Sequence, residues 1–141
     1  MNRKPLAMAL LIALVMTLLN ACASSTQKST LDATLLQYES VIRWSQWDGA
    51  IDFLAPKYLE ENPVSQLDID RLRLFRVTQY TVRSVMPTAD GMTIRQAVEI
   101  RLFNRNRAVE QALLDQQEWR YNPEHERWYL WSGLPDVTRS R

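Results

Sequence analysis

Two stretches of the 141-residue chain hold side chains that could do chemistry. The first centres on Asp115, a carboxylate set mid-strand between Leu114 and Gln116. If it faced the inside of a sheet its pKa would rise, as a general acid or base in an apolar cavity requires. Its parity matches Val109, Leu113 and Trp119, but Ala108, Ala112 and Leu114 could equally be the buried set. The second is the aromatic run near the C-terminus. A loop from Asn122 to Glu126 would set Trp119 opposite Tyr129, Tyr121 opposite Arg127 and Gln117 opposite Trp131. That register gathers Trp119, Tyr121, Tyr129 and Trp131 on one face, with Trp128 and Leu130 on the other; a loop one residue different swaps the alignment. Such a cluster either floors a ligand pocket or partner surface, or packs as core against helices. His125 falls in the turn Pro123-Glu-His-Glu126 and reads as solvated. Tyr38 and Tyr80 are further hydroxyl donors.

Other chemistries lack their residues. One His and one Cys leave no zinc-ligand set and no internal disulfide. Only three Gly occur, with no nucleophile elbow and no phosphate-cradling loop, so neither a metal nor a cofactor is expected. A net charge of +1 gives no nucleic-acid signature. With 46% hydrophobic and 23% charged residues, the composition is that of a single folded domain.

The N-terminus has its own logic. Arg3 and Lys4 precede LAMALLIALVMTLL (6–19), fourteen residues in which only Thr17 is polar. This falls short of the ~20 apolar residues that span a bilayer, but suits a secretory signal. It ends at Leu19-Asn20-Ala21-Cys22, followed by the Ser/Thr-rich stretch 23–30. Leu19, Ala21 and Cys22 resemble the lipobox of bacterial lipoproteins, while Asn20 departs from its usual small or apolar residue. The resemblance implies cleavage before Cys22, a thioether to diacylglycerol on its thiol and acylation of the new α-amine. Several buried chains at about 0.8 kcal/mol per CH₂ would hold such a protein to a membrane. Ala23 after the lipidated residue implies export to the periplasmic face of an outer membrane, since the retention Asp is absent. Two alternatives stand beside this: Ala21-Cys22-Ala23 also fits ordinary signal cleavage, and the leader could remain uncut.

The segments therefore divide into a signal peptide (1–21), a lipidated Cys with a flexible tether (22–30), and one domain (31–141). Ser29 or Thr30 can cap a helix carrying Leu31, Leu35, Tyr38 and Ile42 at helical spacing, with Trp44 and Trp47 beyond. Asp48-Gly49 breaks or re-caps it, and Ala50 to Ala55 forms a short second helix stopped by Pro56. Residues 58–63 make a further short turn or half-helix, ended by Pro63. From Arg71 the period becomes two, with a phase switch near Leu74-Phe75 that suggests a bulge. Strands are expected over 71–86, 92–102, 107–120 and 127–132. The fold class is α+β, an N-terminal helical hairpin packed on a curved, four-stranded antiparallel sheet.

Tyr38 to Trp44, Trp47 to Leu54 and the hairpin Glu118-Trp-Arg-Tyr…Arg127-Trp-Tyr-Leu130 resemble the nuclear transport factor 2-like superfamily. The likeness implies a cone-shaped domain whose sheet curls round its helices, whose open end takes a small apolar ligand, and which dimerises through the outer sheet face. It does not select a function, since such cones serve isomerases, dehydratases, adaptors and structural domains.

Charge is uneven. Residues 30–70 hold two basic and eight acidic side chains, and residues 71–141 hold twelve and eight. Arg71, Arg73, Arg95 and Arg101 would face outward from their strands, to meet phosphate groups or an acidic partner, or simply to solvate the face. The expectation is a lipid-anchored binding or scaffolding module of the cell envelope, without catalysis. It would be tethered to the membrane, with a homodimer or an envelope protein as partner. The alternative is a carrier of a small apolar ligand, or an isomerase- or dehydratase-like enzyme, using Asp115 inside the cone.

Overall fold

The computed structural model describes residues 26–107 and 109–139; the leader, Cys22 and Ala108 lie outside the described residues. Helix α1 covers 26–43. Its inward stripe follows the expected spacing, with Tyr38 and Ile42 fully buried and Leu31 and Leu35 packed beside them. The helix starts earlier than the sequence suggests. Ser29 and Thr30 lie inside it. Docking explains this: the Gln27 amide donates to the Gly91 carbonyl at 2.9 Å, and Trp128 Nε1 donates to the Gln27 carbonyl at 3.1 Å.

The break after α1 comes at Trp44-Ser45, with Ser45 in the left-handed region at φ 56°. Asp48-Gly49, expected to break or re-cap a helix, sits inside α2 (Trp47–Ala50), which runs into a 3-10 turn at Ile51–Phe53. Pro56 starts a helix where it was expected to stop one. It is the first residue of α3 (Pro56–Glu61), where its fixed φ and missing N–H cost nothing. A further helix, α4 (Gln66–Arg73), was not expected at all. Ser65 caps it by accepting from the Asp68 N–H at 3.2 Å, and the Asp68 carboxylate accepts from the Ser65 N–H at 3.0 Å. Ile69 and Leu72 anchor its inner face. Arg71 and Arg73 therefore belong to a helix, not to the first strand, and Arg73 pairs with Asp48 and Asp70.

Four antiparallel strands follow in sequence order: β1 (Phe75–Pro87), β2 (Thr93–Asn104), β3 (Glu110–Asn122) and β4 (Arg127–Leu130). The phase switch at Leu74-Phe75 is the α4–β1 junction. The irregularities of β1 lie instead at Val77/Gln79 and Val82/Ser84. In β2 the alternation is regular, and Ile94, Val98, Ile100 and Leu102 are buried.

Helices pack on one face of this sheet. The chain after β4 runs on beside β3, with the Trp131 N–H donating to the Glu118 carbonyl at 2.8 Å. Gly133 is required there. It holds φ 83°, and a Cβ in its place would lie 2.5 Å from Tyr58 Oη. The architecture is α+β, a four-stranded open antiparallel sheet with helices.

Candidate functional site

Beneath α1 the sheet is closed by rings. Tyr38 meets Trp119 edge-on at 5.0 Å and Phe53 at 5.3 Å between centroids. Trp47, Trp119 and Trp128 are almost wholly buried. Beside this aromatic plug lies a polar cluster set by strand parity. Gln96 on β2 points inward from the stripe of Ile94 and Val98. On β3, Leu113, Asp115, Gln117 and Trp119 form the inward set, so Leu114 is exposed; Val109 shares the inward parity but precedes the strand and is exposed too.

Gln117 organises the cluster. Its Nε2 donates to Asp115 Oδ2 at 2.7 Å and to Tyr80 Oη at 3.2 Å. Its Oε1 accepts from Gln96 Nε2 at 2.7 Å and from Trp119 Nε1 at 3.1 Å. One amide thereby links three strands, with all four of its hydrogen-bonding capacities used. Burial raises the Asp115 pKa to about 6, and the Gln117 hydrogen bond only partly offsets it. Burial also raises Tyr38 well above its usual value, with the nearby charges of Asp115 and Tyr80 adding to it, and Tyr80 is raised by burial too. Tyr38 Oη is buried without a hydrogen-bond partner among the described residues. No cluster of metal-ligating side chains occurs among the described residues.

The loop of the terminal hairpin is one residue shorter than Asn122 to Glu126, because Asn122 pairs with Arg127. Trp119 pairs with Leu130, Arg120 with Tyr129 and Tyr121 with Trp128. Four residues, Pro123 to Glu126, make the loop, and Glu126 closes it at φ 48°. The expected grouping is therefore corrected. Trp119 and Tyr121 share the inner face with Trp128 and Leu130, Tyr121 stacking tilted on Trp128 at 5.4 Å. Tyr129 and Trp131 lie on the outer face, under Arg127 at 5.3 Å and Arg120 at 4.5 Å. His125 is exposed and bonds Tyr129 Oη through Nδ1 at 3.0 Å.

The outer face is not a free basic surface. Arg95 and Arg120 both hold Glu118, at 3.0 Å and 2.5 Å, while Arg83 and Arg101 share Glu99 at 2.8 Å and 3.4 Å. Arg95–Glu118 and Arg83–Glu99 cross between strands while Arg120–Glu118 and Arg101–Glu99 lie along one strand, and together they leave Arg95 and Arg101 already partnered.

Sequence reasoning missed a groove of about 470 Å³ between α1 and β1. Asp32, Leu35, Leu36 and Glu39 line it from the helix, and Tyr80, Val82 and Val85 from the strand, with Gln96 beneath. Val82 and Val85 pair with Val98 and Gln96, so they belong to the inner face, yet they are 43% and 51% exposed. Their apolar, inward-phased character was the available signal; that no described residue covers them is a tertiary fact. Compared with protein-family models, curated proteins and solved structures, the chain matches none of them.

Proposed function

We infer that this protein is a lipid-anchored module of the cell envelope that binds or scaffolds and does not catalyse. The lipobox-like Leu19-Asn20-Ala21-Cys22 and the lone cysteine support the anchor. By that motif's logic, the domain is held at the periplasmic face of an outer membrane. The observation that carries binding over catalysis is the filled interior. Trp47, Trp119, Trp128 and Tyr38 occupy the space where a cone-shaped domain would hold a substrate, and Asp115 is 8% exposed behind Gln117. A general base needs the proton it abstracts within hydrogen-bond reach; Asp115 borders a cleft of about 620 Å³ beside Ser132 and Leu134, but its Oδ2 is already taken by Gln117 Nε2. On this reading the helices form an N-terminal hairpin over a curved sheet, as in the nuclear transport factor 2-like cones, and the domain works through its surface, with an envelope protein or a second copy as partner.

The mass of the mature N-terminus tests the anchor. The expected result is a diacylglyceryl thioether on Cys22 with an acylated α-amine, found in membranes and abolished by Cys22→Ser. An unmodified terminus, or an intact Met1, contradicts it.

One observation favours a second reading, a carrier or isomerase-like site for a small ligand. Tyr38 Oη is a buried hydroxyl without a partner among the described residues, in the same cluster as a carboxyl whose pKa burial raises to about 6. A ligand polar group entering there would find both a donor and an acceptor.

A further inference from the structure

The groove between α1 and β1 combines three features that point to one kind of occupant. The first is an unfinished sheet edge. β1 is the terminal strand, and the start of its outer edge is closed by the protein itself. Ser45 Oγ accepts from the Val77 N–H at 2.9 Å, and Trp47 Nε1 donates to the Phe75 carbonyl at 3.2 Å. Among the described residues no other segment takes this role along Gln79–Pro87.

The second feature is apolar. Val82 and Val85 are inner-face residues left open, and Leu36 on the facing flank of α1 is 67% exposed. The third is charge. Asp32 and Glu39 lie on that same flank two helical turns apart, roughly 10 Å along the axis. Asp32 has no ion pair among the described residues, Glu39 has only a loose one with Arg43 at 3.8 Å, and no basic side chain lines the groove.

An edge strand beside a helix, with an apolar slot between them, is the geometry in which an extended segment adds as a further strand. We propose that the α1–β1 groove takes a short extended segment of a partner protein, its main chain on the β1 edge, an apolar residue between Leu36 and Val82/Val85, and basic residues at Asp32 and Glu39. The proposal rests on the reading of this protein as a binding module and names its site and the partner's chemistry. A second copy fits less well. It would bring a second set of acidic residues to the groove, and the bulges at Val77/Gln79 and Val82/Ser84 divide the edge into stretches too short for long strand pairing.

Two labelled peptides test this on the purified protein: Lys-Thr-Val-Thr-Lys, whose alternate side chains are basic, apolar and basic, and Glu-Thr-Val-Thr-Glu. The basic peptide is expected to bind at least tenfold tighter. It should lose that advantage in the Asp32→Asn/Glu39→Gln variant, weaken with the surface change Leu36→Ser, and slow hydrogen exchange of the amides within 79–87. Equal binding of the two peptides, binding by neither, or protection elsewhere overturns the assignment. So does a dimer that protects 79–87 without peptide, which gives the edge to a second copy. None of these outcomes bears on the lipid at Cys22, so failure of this site and failure of the anchored-module reading are separately visible.

Discussion

The two ends of the sheet are finished in opposite ways. At the β3–β4 end, Trp119, Trp128 and Leu130 are buried under α1 and the segment around Phe53, and the Leu130 carbonyl is tied to the Ala55 N–H at 3.0 Å. At the β1 end the same inner face emerges from cover, and Val82 and Val85 meet solvent beside an acidic helix flank. One helix produces both conditions. Tyr38 and Ile42 point into the aromatic end, while Asp32, Leu36 and Glu39 look across the open one. The difference teaches that stability and recognition are held by opposite flanks of one element. Changes at the first flank should unfold the protein, and changes at the second should leave it folded.

The sharpest way to break this contrast is a pair of truncations. Trp119→Ala removes a ring in contact with Tyr38 and Phe53, and should cost about 3–5 kcal/mol in urea unfolding. Val82→Ala, at the open end, should stay within about 0.5 kcal/mol. Similar losses at both would mean that the β1 end is packed after all.

Next in size is the carboxylate beside the plug. In the unfolded chain Asp115 titrates near ~3.9, and in the folded protein at about 6. Between those values the folded state keeps a proton that the unfolded state has lost. Stability therefore falls as pH rises through this window, and the penalty is complete and level above it. Asp115→Asn still offers an oxygen to Gln117 Nε2 and removes the charge. It should raise stability at pH 7 by on the order of 2–3 kcal/mol and flatten the profile between pH 4 and 6. A variant that is less stable at pH 7 would show that the charge has a favourable partner.

Smaller again is the orphan hydroxyl. Tyr38→Phe keeps the ring contacts and deletes a buried polar atom that has no partner among the described residues, so it should be neutral or stabilising by up to about 1 kcal/mol. A clear loss in thermal unfolding would reveal a partner, and would favour the ligand reading over the scaffold.

Much of the fold was legible where one period ran unbroken. Leu31, Leu35, Tyr38 and Ile42 mark α1, and the alternation of Ile94, Val98, Ile100 and Leu102 marks β2 with the right face inward. Asp115 lies on one of the two parities read for it, since either apolar set on β3 was long enough to be buried. The hairpin register was not legible. It turned on whether a non-glycine residue, Glu126, would adopt a left-handed conformation and close the loop at four residues. Helix α4 was hidden because only Ile69 and Leu72 are buried, and its cap pairs Ser65 with Asp68 in place of the commoner Glu or Gln. Pro56 marked a boundary correctly but not its direction, because proline both stops and starts helices. The α1–β1 groove joins residues some fifty positions apart, which no local pattern records.

Native mass spectrometry of the purified protein tests the central claim most directly, that the interior is filled and recognition belongs to the open flank. The account predicts the mass of the lipidated chain with nothing further bound inside. A stoichiometric small-molecule adduct that survives Leu36→Ser and is lost on Asp115→Asn would contradict it, and would make the buried cluster of Asp115, Tyr38 and Gln117 the working site.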